Sequence, residues 1–273
     1  MQVISISGGR SSAMMLKILL DNGQITPETH VIFANTGREH DATLDFIEAC
    51  STRWGVTVTW LEYRHAAPKF EVVTYATASR RFGPDPGRPF RELLEGRSYL
   101  PNPVQRICTA EMKIKTIRRY IRSLGHKGAI PTFVGLRYDE PDRVARKKAQ
   151  NAMGKEAEFC YMPLYDLRIT RAERDLFWLA QPFDLAIPSA ADNCDFCFLK
   201  SFSQQIWRIR EEPDAVEWWI EMEENARHSA KRRRHGQFRK EYSFKDLKKF
   251  ALQQTYIPQP DEPRVSISCA CTD

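Results

Sequence analysis

Three groups of residues in this 273-residue chain have types and spacings that could do chemistry. The first is Ser7-Gly8-Gly9-Arg10-Ser11-Ser12, directly after the apolar run Val3–Ile6. Paired glycines let the backbone turn sharply and bring consecutive N–H groups near an anion. The serine hydroxyls add donors, and the positive end of a following helix points at the same place. A plain strand-to-helix turn with a serine cap would use the same residues. The spacing matches neither the G-x-x-x-x-G-K-[ST] loop nor G-x-G-x-x-G. Two more polar, glycine-bearing stretches follow expected strands: Asn35-Thr36-Gly37-Arg38-Glu39 and Gly135-Leu136-Arg137-Tyr138-Asp139-Glu140. In an open α/β sheet such loops gather at the carboxyl edge, where ligands sit.

The second group is sulfur. Cys194 and Cys197 form a C-x-x-C pair, able to put two thiolates on one turn, and Cys108 and Cys160 are the distant cysteines that would complete a four-sulfur set. A redox dithiol or zinc would use the same C-x-x-C, although the flanking residues read as loop rather than the start of a helix. Seven cysteines are an odd count, which points to metal or thiol chemistry before disulfides. Cys50 reads as core, because Phe46, Ile47, Cys50 and Trp54 recur at helical spacing. The third group is terminal: Cys269 and Cys271 on a proline-bearing tail, thiols able to act as nucleophile and resolving partner or to do nothing at all. Lys231–Lys240 holds six Lys or Arg residues, either a solvated helix end or a salt-dependent nucleic-acid contact with Phe238 and Tyr242 nearby for stacking. Trp218 and Trp219 read as core.

The elements that must position these groups follow from periodicity. Strands are expected at Val3–Ser7, Val31–Ala34, Val56–Leu61 and Thr132–Gly135, alternating with helices at Ser11–Leu20, Ala42–Trp54 and Ala110–Leu124. That rhythm predicts an α/β fold, a parallel sheet with helices on both faces. Residues 66–104, rich in proline, glycine and arginine, are expected to be loops over the open edge. A capping box, Thr170 with Glu173, opens a helix through Ala180, and helices follow at Ser203–Arg210, Asp214–Arg227 and Phe244–Thr255. The organisation predicted is an α/β nucleotide-binding domain over 1–165, a helical extension over 166–257 carrying the C-x-x-C, and a mobile tail over 258–273.

Composition narrows the class. Hydrophobic residues at 42% and charged residues at 28% exclude a disordered or fibrous chain. No apolar run approaches the ~20 residues of a membrane span, and no secretory leader is visible, so a cytoplasmic protein is expected. The net charge of +6 suits anionic ligands without identifying one.

Four motifs in order resemble the PP-loop superfamily, and within it the 3′-phosphoadenylyl-sulfate (PAPS) reductase family: Ser7-Gly8-Gly9-x-x-Ser12, Phe33-Ala34-Asn35-Thr36-Gly37, Arg106-x-Cys108-Thr109-x-x-x-Lys113 after Leu100-Pro101-Asn102, and Gly135-x-Arg137-x-x-Glu140-x-x-Arg143. The resemblance covers about Val3 to Ser201. It implies an adenine nucleotide (PAPS, adenylyl sulfate or ATP) with phosphates on Ser7–Ser12. Arg137 and Arg143 would hold the distal anion, and Lys113 would assist. From the iron–sulfur branch it implies a [4Fe-4S] cluster on Cys108, Cys160, Cys194 and Cys197, with zinc the rival. By position, it implies a catalytic thiol at Cys269 or Cys271, although the family's tail motif is absent. Reduction of the sulfonucleotide to sulfite, with a thioredoxin-like electron donor, is the leading expectation. ATP-dependent sulfur insertion into nucleic acid is the alternative. The PP-loop pyrophosphatases carry Asp where this chain has Ser11, a departure that weakens ATP cleavage. A homodimer and a nucleic-acid partner are left open, and no membrane partner is expected.

Overall fold

The computed structural model describes residues 1–97, 99–154, 157–188, 191–228 and 236–253. Strand β1 (Gln2–Ile6) leads through a three-residue loop into α1 (Arg10–Asp21), then β2 (Thr29–Asn35), α2 (Asp41–Trp54) and β3 (Val58–Tyr63). β5 (Ile130–Val134) and β6 (Glu158–Tyr161) complete the parallel part, and β4 (Phe70–Val73) closes one edge antiparallel to β3. The order is β4-β3-β2-β1-β5-β6. The chain therefore runs outward on one side of β1 and returns to its other side at β5. The gap between the carboxyl ends of β1 and β5 is a topological switch point, the usual ligand crevice of such sheets.

Alternation along the central strands accounts for the two layers. Ile4, Ile6, Val31 and Phe33 pack against Met15, Leu16 and Leu19 of α1, while Val3, Ile32 and Ala34 meet Ile117 and Ile121 on the opposite face. Successive side chains of a strand point to opposite faces, so a strand covered on both sides must be apolar throughout. The expected strands and the helices around them are present, within a few residues at their ends.

Residues 66–104 are not only loop. They contain β4 and a helix, α3 (Arg88–Glu95), whose Phe90, Leu93 and Leu94 are buried. Two further elements were not anticipated: β6, and α5 (Pro141–Met153) after the Gly135 loop. The helix expected from Ala110 begins as a π-helical segment, Cys108–Ile114, and continues as α4 (Lys115–Ser123). Cys108 and Lys113 would stand about 140° apart on a 3.6-residue helix. The π register brings residues five apart to the same side, and both line one cavity.

Glu111 in this segment is bonded by Lys115 and Arg119 and paired with Arg97. Burial pushes its carboxyl up, but the hydrogen bonds and the charges of Lys115 and Arg97 outweigh that and hold it at about 2. Its folded value lies below the ordinary 4.5, so its stabilisation is complete above pH 4.5 and is lost as pH falls toward 2. Glu111→Gln should flatten the acid limb of the urea midpoint measured against pH, with little change in its slope above pH 5.

After α6 (Pro163–Asp166) and α7 (Arg171–Leu179), the chain passes the cysteine turn to α8 (Phe202–Glu211), a 3-10 turn (Pro213–Val216), α9 (Glu217–His228) and α10 (Phe244–Gln253). The capping box is formed: the Glu173 carboxylate accepts from both Thr170 N–H and hydroxyl. Ser243 caps α10 through Asp246 N–H. Trp219, Phe196, Phe238 and Phe244 form a buried aromatic core that also takes in Phe90, Leu93 and Leu94. Among the described residues no helix is long and apolar enough to cross a membrane.

Candidate active site

The loop after β1 is tied to the first turn of α1. Ser12 hydroxyl accepts from Ser7 N–H at 3.1 Å and donates to the Gly9 carbonyl at 2.9 Å. Gly8 has φ +82°, and a Cβ there would lie 2.4 Å from the Thr43 methyl, so only glycine fits the turn without displacing α2. Gly135 is constrained differently. A Cβ on it would stand 2.8 Å from Ser12 Cα and 2.9 Å from Ser12 N. That close backbone approach brings the loop after β5 onto the start of α1. Across it, Arg137 Nη1 donates to Ser11 hydroxyl at 3.0 Å.

Arg137 is nearly fully buried and also meets Asp139 and Glu140. Glu140 accepts from the Arg137 backbone N–H at 3.0 Å and from Arg143, and its carboxylate lies 3.3 Å from Arg137 Nη1, so it stands between two guanidinium groups. Arg137 thus stands at the switch point, with Arg143 joined to it through Glu140. Arg10 does not join them: its guanidinium is bidentate on Asp184, 2.7 Å at each nitrogen, and bonds the Leu185 carbonyl. The charge expected to face a phosphate is thus already paired, on an aspartate far along the chain.

The loop after β2 is held from within. Asn35 donates to Glu62 at 2.6 Å and accepts from Gly37 N–H, and Thr36 donates to Glu39 through both N–H and hydroxyl. The Asn35 and Thr36 side chains and the Gly37 N–H therefore shape the loop. Lys113 Nζ lies 3.7 Å from the second Glu39 oxygen, both residues buried.

Cys108, Cys194 and Cys197 line one small cavity together with Thr36, Thr109 and Lys113. It has room for about one water molecule, ≈ 10 Å³. Thr36 hydroxyl is 3.4 Å from Cys194 Sγ. Cys160 does not line that cavity; it lies in β6 among Val134, Leu136, Val144 and Met162, with its backbone bonded by Asn151. Among the described residues no group of three or more His, Cys, Asp or Glu is arranged to hold a metal ion. The chemistry of the remaining donors, three buried thiols beside a lysine, does suit a thiophilic group. Cys50 is buried core, its thiol pushed up to about 12 by burial.

Asp195, between the paired cysteines, was not anticipated. It accepts from Arg38 at 2.5 Å, from Trp219 Nε1 at 2.8 Å and from Phe196 N–H, with both members of the ion pair fully buried. Its signal in the sequence is a lone acid inside C-x-x-C, which without a partner reads as surface. Lys200, beside the same turn, donates to the Asp195 carbonyl, and burial lowers its pKa.

Cys269, Cys271 and Lys231–His235 lie outside the described residues. Phe238 is fully buried against Trp219, 4.9 Å between ring centres, and Arg239 bonds Tyr242 and the Lys200 carbonyl. Phe238 is therefore core rather than a platform for bases, and so are Trp218 and Trp219.

Residues 1–173, carrying both glycine loops and the crevice between them, match the phosphoadenosine phosphosulfate reductase domain model. The chain belongs to that family. The resemblance read from its motifs is borne out over most of its span. A relative from Escherichia phage lambda, the uncharacterized nin region protein ORF290, is 26% identical over 213 residues. That match takes in 73% of this chain and 66% of the phage protein, just under two thirds of its length. A looser likeness is to the U34-tRNA thiolase NcsA from Methanococcus maripaludis, solved with its [4Fe-4S] cluster, at 14% identity and TM-score 0.39. It covers 92% of this chain and 72% of that one. A similarity that loose says nothing about the ligands of this chain.

Proposed function

We propose that this family member binds an adenine nucleotide in the β1/β5 crevice and reduces a sulfonucleotide, PAPS or adenylyl sulfate, to sulfite. The observation that carries the reading is Arg137 reaching Ser11 across the switch point, which sets a guanidinium beside the amides of a helix N-terminus. Ser7–Ser12 would take the α-phosphate, and Arg137 and Arg143 the terminal group. A thiolate, Cys269 or Cys271, attacks the sulfonyl sulfur. The S–O bond to phosphate breaks, the nucleotide leaves with that electron pair, and a thiosulfonate forms. A second thiol then attacks the cysteine sulfur, releasing sulfite and leaving a disulfide, so the two electrons come from two thiols. A thioredoxin-like dithiol resets the pair.

Cys108, Cys194 and Cys197 are proposed as the ligands of an iron–sulfur cluster or zinc, with Cys160 outside the set. Such a centre supplies soft coordination and, if iron–sulfur, one-electron chemistry. The thiols around Thr36 favour a second reading, an ATP-dependent sulfurtransferase acting on nucleic acid, with Lys231–Lys240 as its basic contact. Sulfite release from PAPS or adenylyl sulfate with a dithiol supports the reductase, and its loss in the Cys269→Ser/Cys271→Ser chain assigns the nucleophile. Turnover of ATP to AMP and pyrophosphate, without sulfite, would move the assignment to the transferase. Metal analysis and visible absorption of anaerobically prepared protein identify the centre.

The Ser11 position gives a sharper test of the crevice. Ser11→Asp would pair with Arg137 and place a negative charge at the helix N-terminus. Adenylyl sulfate should then bind at least about tenfold more weakly by calorimetry, and an unchanged affinity would argue against this crevice.

A further inference from the structure

A groove of about 410 Å³ shares no residue with the crevice or with the cysteine cavity. Its volume is that of a small-ligand site. The segment before α3 contributes Phe82 and Pro86 to it, and α9 contributes Trp218 and Ile220. Asp214, Glu217, Glu221 and Glu224 also line it, and residues 217, 221 and 224 share one face of α9 by their spacing. The cations at the groove are already paired, Arg38 with Asp195 and Arg81 with Asp41 and Glu212. Lys248 pairs with Glu217 and Lys245 with Glu224. Asp214 and Glu221 are exposed and, among the described residues, have no hydrogen bond or ion pair. Two carboxylates are therefore left over, and the groove is acidic.

A second observation is independent of that charge. Trp218 is 5% exposed, and its Nε1–H is buried without an acceptor. The indole edge that carries this nitrogen faces the wall at Pro86. A Cβ on Gly87 would stand 3.1 Å from Trp218 Cε2, the ring carbon bonded to Nε1. A buried donor is costly until an acceptor joins it. Phe82, at 45% exposure, presents an aromatic ring on the same side.

We infer that this groove is a docking site for a basic, partly apolar peptide segment of a partner protein. Its lysines and arginines meet Asp214 and Glu221, its apolar side chains meet Phe82, Pro86 and Ile220, and a main-chain carbonyl accepts from Trp218 Nε1–H. Charge complementarity fixes the sign of the partner. The orphan donor and the apolar residues fix its peptide chemistry, because a polyamine or a metal cation supplies neither a carbonyl nor apolar side chains. The inference is independent of the nucleotide reading.

The test is fluorescence anisotropy on the full chain with a fluorescein-labelled peptide, Leu-Arg-Lys-Leu-Arg. Leu-Glu-Gln-Leu-Glu serves as the acidic counterpart and spermine as a competitor. The parent should bind the basic peptide saturably, more weakly as salt rises, and should not bind the acidic one. Asp214→Asn/Glu221→Gln should weaken the basic peptide about tenfold. Phe82→Ser removes the exposed ring and should weaken it about fivefold. Trp218→Phe keeps a ring, removes the N–H, and should also weaken it about fivefold. Circular dichroism checks that each variant keeps the fold.

No saturable binding by the parent, or equal affinity in the parent and in Asp214→Asn/Glu221→Gln, overturns the inference. Full displacement by spermine, with Phe82→Ser binding as the parent does, shows attraction by charge alone and overturns the peptide assignment. An unchanged affinity in Trp218→Phe overturns the carbonyl contact. Loss of binding in the exposed double variant together with loss of its circular dichroism shows a structural role for the two carboxylates instead.

Discussion

Asp195→Ala is expected to cost about 3–5 kcal/mol of unfolding free energy, the range for breaking a buried ion pair from one side. The carboxylate joins three donors: Arg38 Nη2, which also reaches the Ala215 carbonyl, Trp219 Nε1 and Phe196 N–H. Removing it leaves a fully buried guanidinium with the Arg81 and Ala215 carbonyls but without its Asp195 counter-charge, stacked 4.6 Å from the Trp218 ring. The loss reaches the cysteines, because Asp195 N–H also donates to the Arg38 carbonyl and Glu39 bridges to Cys194 in a short antiparallel contact. Urea denaturation measures the first effect, and faster reaction of Cys194 and Cys197 with a thiol reagent measures the second. The double variant Arg38→Met/Asp195→Leu should recover much of the stability, since neither charge is then left alone. Equal losses in the single and double variants would show that packing, not the ion pair, holds the turn.

Gly135→Ala is the second large effect. Its added methyl would meet Ser12 Cα at 2.8 Å, Ser12 N at 2.9 Å and the Ser11 carbonyl carbon at 3.1 Å, all backbone atoms with no rotamer to change. The start of α1 must move away from the loop after β5. Overpacking of this kind costs about 1–3 kcal/mol. The functional loss should be larger in proportion, because the same shift stretches the 3.0 Å bond from Arg137 to Ser11. Adenylyl sulfate binding is expected to fall by about a hundredfold or more, with the fold retained by circular dichroism. A variant that binds normally would mean that the crevice is not the nucleotide site.

Legibility followed local pattern. β1, β2 and β3 announce themselves as apolar runs, and α7 by its capping box. α3 was hidden in a stretch rich in proline and glycine, yet Pro89 falls in its first turn, where proline is tolerated, and Phe90, Leu93 and Leu94 have helical spacing. α5 was hidden for a different reason. Its buried side is Arg143, Val144 and Lys147, so a search for apolar periodicity finds one residue where a helix face should show several. β6 is a four-residue edge strand with a charged first residue, too short for alternation to register.

From its sequence alone the chain was bound to alternate strands with helices and to place a glycine pair between the first of each, because φ preferences and hydrophobic period act between near neighbours. The sequence could not say which cysteines would share a cavity, that Arg10 would be taken by Asp184, or that Arg38 would find Asp195. These pairings span 174 and 157 residues for the two arginines. They exist only because the strand order β3-β2-β1-β5 returns the chain to the first strand and folds the helical region back over the carboxyl edge. Partners that distant are chosen by the geometry of the sheet, and no local propensity encodes them.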